Sequence, residues 1–545
     1  MASSLSPFRR LRLWLAAERS NLWVAVVYSI AIGLLSLVVP IAVQSLVNTV
    51  AFGTLIQPLL VLTLIVLAGL GFSALLQAMR TYVVEIIQRR VFVRIASDAV
   101  ERLLRVRVDA FDENHGPELV NRFFDIVTLQ KAGAILLIDG LSILMQSIIG
   151  MILLAVYHPW LLAFDLLLLI AIAIVWFPLG AGAIPTAINE SKAKYTIVAW
   201  LEEIARFPVT FKSASGAAYA LARTDELVTN YLTYRGKHFR ILLRQVVGSL
   251  ALQAIASSVL LGVGGWLVIQ RQLTLGQLIA AELIVTLVVS GIGKFGKQLE
   301  TYYDLAAAVD KLGYITDLPL ERNGGEPLPR SDQGMPVRLR GVSFSYDGRY
   351  PVLRDLEMEV AGGARVAVTG SGKSTLFDLI YGLREPDSGV VELDGHDARG
   401  IRRTDMRAQV ALVRGAEIFH GTVAENLRMA NGQASSAELR DALSAVGLLE
   451  VVQAMPEGFD TMLTTGGPQF SRGQAARFSI ARALLARPRL LLLDECLDII
   501  EHRPALESVL RTLFDPSKPW TVMIATTESE ITGLCDSVVR LEESR

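Results

Sequence analysis

The sequence predicts two domains of different kinds: an α-helical membrane domain of six spans, then an α/β domain with parallel strands at its centre. Three observations carry this expectation. Of the 545 residues 52% are hydrophobic and the mean hydropathy is +0.44, too apolar for an ordinary soluble chain and too long for one domain. The apolar density is confined to the first three hundred residues. Beyond a Pro- and Gly-rich stretch, strand-like and helix-like segments alternate around the string Gly370-Ser-Gly-Lys-Ser-Thr375.

A helix needs about 20 residues to cross a hydrocarbon core of about 30 Å. Six apolar runs approach or exceed that length: Leu22–Val43, Leu55–Ala78, Ala132–Tyr157, Trp160–Gly180, Val247–Ile269 and Leu275–Ile292. Arg9, Arg10 and Arg12 precede the first run, and stretches 80–131 and 182–244 are rich in Arg and Lys. The connectors Asn48–Gln57 and His158–Pro159 hold no Lys or Arg, and Gln270–Thr274 holds Arg271. By the positive-inside tendency the two long stretches and both termini are cytoplasmic, in an integral, multi-pass protein of the plasma (inner) membrane. The first run exceeds the roughly 7–15-residue apolar core of a cleaved signal. A net charge of −1 argues against a nucleic-acid partner, and the two cysteines, Cys496 and Cys535, sit in the polar half, as in a reduced cytosolic domain.

The long polar stretches are not loop-like. Tyr82–Arg107 and Ala187–Arg206 carry apolar residues three and four apart with few Gly or Pro, so the spanning helices continue far below the membrane. At Leu318–Pro336 four prolines accompany Gly324, Gly325 and Gly334, which marks a linker. The domains are then 1–320, a linker 321–336, and 337–545. After the linker Val337–Tyr346, Val352–Val360 and Arg365–Val368 read as strands, Ser374–Gly382 and Ala475–Leu485 as helices, and Leu490–Leu493 and Val522–Ala525 as later strands.

The chemistry begins where the strand Arg365–Val368 turns into a helix. Amides and the positive dipole end at such a turn receive phosphate. Gly372 admits close backbone approach, Lys373 neutralises β- and γ-phosphate charge, and Ser374 can ligate Mg²⁺. The amides of Gly372 to Thr375 cradle the phosphate, beside Gly370 and Ser371. The strand Leu490–Leu493 ends in Asp494 and Glu495, and two ionised carboxylates cannot both be buried there without partners. A Mg²⁺–nucleotide is one such partner; two surface acids ending a strand is the plainer reading.

These strings, with Phe470-Ser-Arg-Gly-Gln474 between them and a membrane-embedded half before them, resemble the ATP-binding cassette (ABC) exporters over nearly the whole chain. The resemblance implies an α-helical six-span membrane domain followed by an α/β P-loop nucleotide-binding domain, which together perform ATP-driven export. It implies ATP and Mg²⁺ as cofactors and a lipid bilayer as environment. The partner is a second half-transporter subunit, identical or different, because the family builds each site from two chains. Residue by residue, Asp494 and Ser374 would hold the metal and Glu495 would polarise the attacking water. Ser471, Gly473 and Gln474 would meet nucleotide held by the opposite subunit. Tyr346 would stack on adenine, unless it is an ordinary strand-end tyrosine. The stretch 112–122 and the region Phe207–Ser213 would be coupling helices, with solvated loops as the alternative.

The departures weigh as much. Ala367 stands five positions before Gly372, so the phosphate loop is about three residues short of the usual Gly, four residues, Gly-Lys-Ser/Thr. Arg414 occupies the place of the family's metal-sensing glutamine, and Thr527 that of its γ-phosphate histidine. The segment Asp494–Asp498 is shorter than in the family. Weak or partner-dependent hydrolysis is expected; the alternative is a nucleotide-binding pseudo-ATPase acting as a structural or regulatory subunit of a secretion complex.

The substrate rests on less. Leu273–Ala280, the sixth span and Tyr302–Leu318 resemble exporters of toxins, bacteriocins and other polypeptides in type I secretion, whose partners include membrane-fusion and outer-membrane secretion subunits. No N-terminal peptidase domain is expected before Leu22. Lipid or small-molecule export stays open. Asp139, Asp165 and Glu282 fall within the spans, where ionisable groups are expensive; they either line the substrate path or are neutralised by a helix neighbour.

Overall fold

The computed structural model describes residues 6–50, 56–112, 116–346, 348 and 351–542. The chain divides into two compact units, Met1–Val106 with Ala110–Leu320, and Arg107–Asp109 with Glu321–Arg545.

The first unit is helical. Its longest helices are Ile56–Arg105, with 50 residues, and Ala214–Ile269, with 56. At about 1.5 Å per residue both are more than twice the length a bilayer core needs. Both change character along their length. In Ile56–Arg105 the first half exposes Leu59, Leu64 and Leu67, the signature of a surface that faces lipid. The second half carries the i,i+4 pairs Arg89–Glu85 at 2.8 Å, Arg102–Asp98 at 3.1 Å and Arg105–Glu101 at 3.1 Å, which suit water.

Five segments are long and apolar enough to cross a membrane: Arg19–Asn48, Ile56–Arg105, Leu119–Tyr157, Pro159–Trp176 and Ala214–Ile269. The sixth expected span, Leu275–Ile292, opens a helix that runs on to Thr316; its apolar stretch among the described residues, Leu275–Val288, holds one charged residue, Glu282.

The expected third span contains a π-helical turn, Leu136–Gly140, which holds Asp139. Asp165 is 4% exposed, and neither carboxylate oxygen has a hydrogen-bond partner among the described residues. Arg80, a buried cation on a spanning helix that sequence reading passed over, donates to Ser29 Oγ at 3.2 Å and Ser142 Oγ at 2.5 Å. In the stretch 112–122 a helix spans Gly116–Asn121, while residues 113–115, like 51–55 in the first connector, lie outside the described residues. The region Phe207–Ser213 contains a one-turn helix, Pro208–Phe211, and Ser213 caps the next helix by accepting from the Gly216 amide at 3.0 Å.

The second unit holds eleven strands among its described residues: β1 Val337–Ser345, β2 Pro351–Val360, β3 Arg365–Gly370, β4 Ser388–Leu393, β5 His396–Asp397, β6 Val410–Arg414, β7 Gly421–Thr422, β8 Met462–Leu463, β9 Leu490–Asp494, β10 Thr521–Ala525 and β11 Ser537–Leu541. One sheet, ordered β2-β1-β4-β5, is antiparallel. The other, ordered β11-β3-β10-β9-β6, is parallel throughout. Its inner strands are continuous apolar runs because both faces are covered: every residue of β9 and β10 is buried.

Residues 321–336 form no helix or strand but do not hang free. Arg407 pairs with Glu321 at 2.6 Å, Gln409 donates to the Leu328 carbonyl at 3.0 Å, and Leu328 and Met335 are buried. Cys496 and Cys535 are free thiols.

Candidate functional site

The parallel register assembles the site. Val368 pairs with Ala525, Ala525 with Asp494, and Asp494 with Arg414, so the ends of β3, β10, β9 and β6 share one edge. In open α/β sheets ligands bind at the carboxyl ends of the strands.

At this edge β3 runs to Gly370, and the helix Lys373–Ile380 begins three residues later. So short a turn depends on Gly370 and Gly372, with φ of +97° and +87°, in the left-handed region. At Gly370 a Cβ would lie 2.1 Å from the Leu541 carbonyl oxygen, so no other residue fits without displacing β11.

Lys373 Nζ donates to the Gly370 carbonyl at 3.0 Å and pairs with Glu495 Oε1 at 3.2 Å. Glu495 itself has φ +52°, and its amide donates to the Ala525 carbonyl at 3.0 Å. Tyr346 and Thr375 share a hydroxyl hydrogen bond of 2.9 Å, and the Arg384 guanidinium lies 4.6 Å from the centre of the tyrosine ring. The phosphate-loop residues 370–375, Tyr346, Asp494 and Glu495 are therefore brought together.

Ser374 and Asp494 meet, but they do not fit Mg²⁺. Ser374 Oγ donates to Asp494 Oδ1 at 3.0 Å, and Arg414 Nε donates to Asp494 Oδ2 at 2.6 Å. Arg414 Nη2 donates to the Ser374 carbonyl at 3.0 Å and pairs with Asp378 Oδ1 at 2.9 Å. The ligands an octahedral ion would need are already engaged, with a permanent cation between them. Among the described residues no three His, Cys, Asp or Glu side chains gather as a metal site. Burial works against the charge of Arg414, but Asp378 and Asp494 outweigh it and hold the guanidinium above its usual range.

The signature residues stand apart from this constellation, and their hydrogen bonds stay within one helix turn. Ser471 caps the helix Arg472–Leu485: its Oγ accepts from the Gln474 amide at 3.2 Å, while Gln474 Oε1 accepts from the Ser471 amide at 2.8 Å. Gly473 is packed so closely that a Cβ there would lie 3.0 Å from the Ile499 carbonyl oxygen. Thr527, in the place expected of a histidine, is held by Asp498, which accepts from its amide at 2.9 Å and from Thr526 Oγ1 at 2.5 Å.

Sequence reading missed Asp378 and the Asp498 clasp. Asp378 had a signal, since it lies four residues after Ser374 and so shares its helix face. The clasp joins residues 28 and 29 apart and had none.

Two family models match the chain: the ABC transporter transmembrane region over residues 22–292 and the ABC transporter model over residues 353–498. The chain belongs to the ABC transporter family. This transporter is thus a multi-pass membrane protein with an ATP-binding cassette, an ATPase coupled to transport. It is similar to the alpha-hemolysin translocation ATP-binding protein HlyB of Escherichia coli O157:H7, 24% identical over 478 residues, which are 86% of this chain and 67% of the relative. It is similar also to the lactococcin-G-processing and transport ATP-binding protein LagD of Lactococcus lactis subsp. lactis, 25% identical over 535 residues, 94% of this chain and 72% of the relative. In fold it matches the structure of a bacterial Atm1-family ABC exporter with ATP bound, with a TM-score of 0.83 and 22% identity, covering 97% of this chain and 94% of that one.

Proposed function

We propose that this transporter is one half of a dimeric exporter of polypeptides in the plasma (inner) membrane, and that its signature helix completes a site on the partner's phosphate loop. One contrast carries the reading. The signature turn Ser471–Gln474 is intact and capped, whereas the chain's own loop is short, with Lys373 on Glu495 and Arg414 on Asp494. A chain with one sound half-site and one altered half-site works best with a partner of fuller cassette. The cargoes named for relatives, hemolysin and lactococcin G, favour a polypeptide substrate and secretion subunits in the envelope as further partners.

In this arrangement Lys373 and the amides of 370–375 hold ATP phosphates, Tyr346 borders the base, and Glu495 positions water. Ser471, Gly473 and Gln474 face the partner's nucleotide. The test is transport by cells carrying single variants. Ser471→Ala abolishes export while costing the fold only about 1 kcal/mol for a lost helix cap, and Lys373→Ala leaves a substantial fraction. A purified chain that alone hydrolyses ATP briskly, and loses all export in Lys373→Ala, would point instead to a homodimer with an unusual loop.

A further inference from the structure

Asp494 and Asp378 are carboxylates almost withdrawn from water, with side chains 3% and 8% exposed. Such groups stay ionised only with a countercharge at hand. Here the countercharge is built into the chain. The fork of Arg414 places Nε 2.6 Å from Asp494 and Nη2 2.9 Å from Asp378, and the same Nη2 donates to the Ser374 carbonyl at 3.0 Å. A second guanidinium, Arg384, stands 3.5 Å from the other oxygen of Asp378.

The placement is set by the sheet. Arg414 ends β6 directly opposite Asp494, which ends β9, and the two parallel strands hold them side by side. The third anchor, Asp378, comes from the phosphate-loop helix, one turn after Ser374. Partners from two elements, β9 and the phosphate-loop helix, converge on the one cation that β6 carries, beside the first turn of the helix whose amides are offered to phosphate.

We propose that the guanidinium of Arg414 takes the place of the divalent cation at this nucleotide site, so that ATP binds there with or without a metal ion. The inference rests on the reading that residues 370–375 hold the phosphates of ATP. A guanidinium stays charged at any physiological pH, and its fork matches phosphate oxygens as well as carboxylates. A divalent ion entering the same space needs the Ser374 hydroxyl and Asp494 oxygens, which are taken, and meets a fixed positive charge in a partly desolvated setting, where repulsion is strong. Arg414 is thus a positioning and specificity residue: it neutralises the site in advance and removes the metal from the binding equilibrium.

The experiment measures the affinity of the purified full-length chain for a fluorescent ATP analogue, in Mg²⁺ and in EDTA. Wild-type affinity is expected to differ by less than about threefold between the two, while Arg414→Gln loses at least about tenfold in EDTA and recovers in Mg²⁺, the size of one charge-assisted contact. Wild-type binding that falls about tenfold in EDTA overturns the inference without any variant. So does an Arg414→Gln protein weakened equally in both buffers, the result of a merely structural role. No binding by wild type in either buffer overturns the ATP-binding reading beneath it as well.

Discussion

Glu495 is the proposed base for turnover at this chain's own loop. It sits at φ +52°, where a non-glycine residue costs about 1–2 kcal/mol, and points its carboxylate at Lys373, 3.2 Å away. Glu495→Gln removes the charge and keeps the volume. Any ATPase activity intrinsic to the chain should then fall at least about tenfold, the low end of what a positioned base contributes. Because the change also frees Lys373 from its ion pair, nucleotide binding should hold or tighten. An unchanged rate in an assembly with no other ATPase would remove Glu495 from the mechanism. At this scale the strings at 370–375 and 494–495 were legible because strand, turn and helix are contiguous there. The partners of Arg414 were not, since Asp494 and Asp378 are set by strand register and a helix turn rather than by neighbouring sequence.

Among the elements, the helix Leu275–Thr316 carries a cost that sequence does not advertise. Its Lys311 is 2% exposed, with the ammonium 5.0 Å from the centre of the Tyr195 ring and 5.6 Å from that of Tyr314. Burial, and then the charge of Arg122, lower its pKa from 10.5 to about 8, against the opposing pull of Asp310 and Asp125. Burial therefore favours the neutral form, and the two ring contacts, each worth about 0.5–2 kcal/mol, offset that cost only in part. The sign follows from proton counting. Between about 8 and 10.5 the unfolded chain holds a proton that the folded chain has released, so this group adds stability as pH rises through that window. Lys311→Met should therefore melt higher than wild type near neutral pH, with the gap closing above the ordinary lysine value. Melting curves of the purified protein at the two pH values check it, and a gap that widens with pH would refute it. The long helices themselves were readable from three- and four-residue spacing. The π turn Leu136–Gly140 was not, because a composition window averages over it.

For the whole molecule, composition changes near residue 320, while the anchoring of 321–336 leaves no mark in the sequence, because its partners Arg407 and Gln409 lie some eighty residues further on. Topology is the property that follows most directly from charge. Arg and Lys crowd the helical extensions and are nearly absent from the connectors on the other side, and moving such a residue to the bilayer centre costs about 2.5–3.5 kcal/mol. The orientation expected from this asymmetry has 82–131, 182–244 and the cassette in the cytoplasm. Single cysteines test it in a background with Cys496 and Cys535 replaced by Ala. Glu101 and Asp225 are exposed on the long helices, and Gln272 is exposed in the turn between Ile269 and Leu275. An impermeant maleimide added to spheroplasts should label Gln272→Cys and leave Glu101→Cys and Asp225→Cys unlabelled until the membrane is permeabilised. Ready labelling at Glu101 or Asp225 in sealed spheroplasts would invert the orientation and place the cassette away from its ATP.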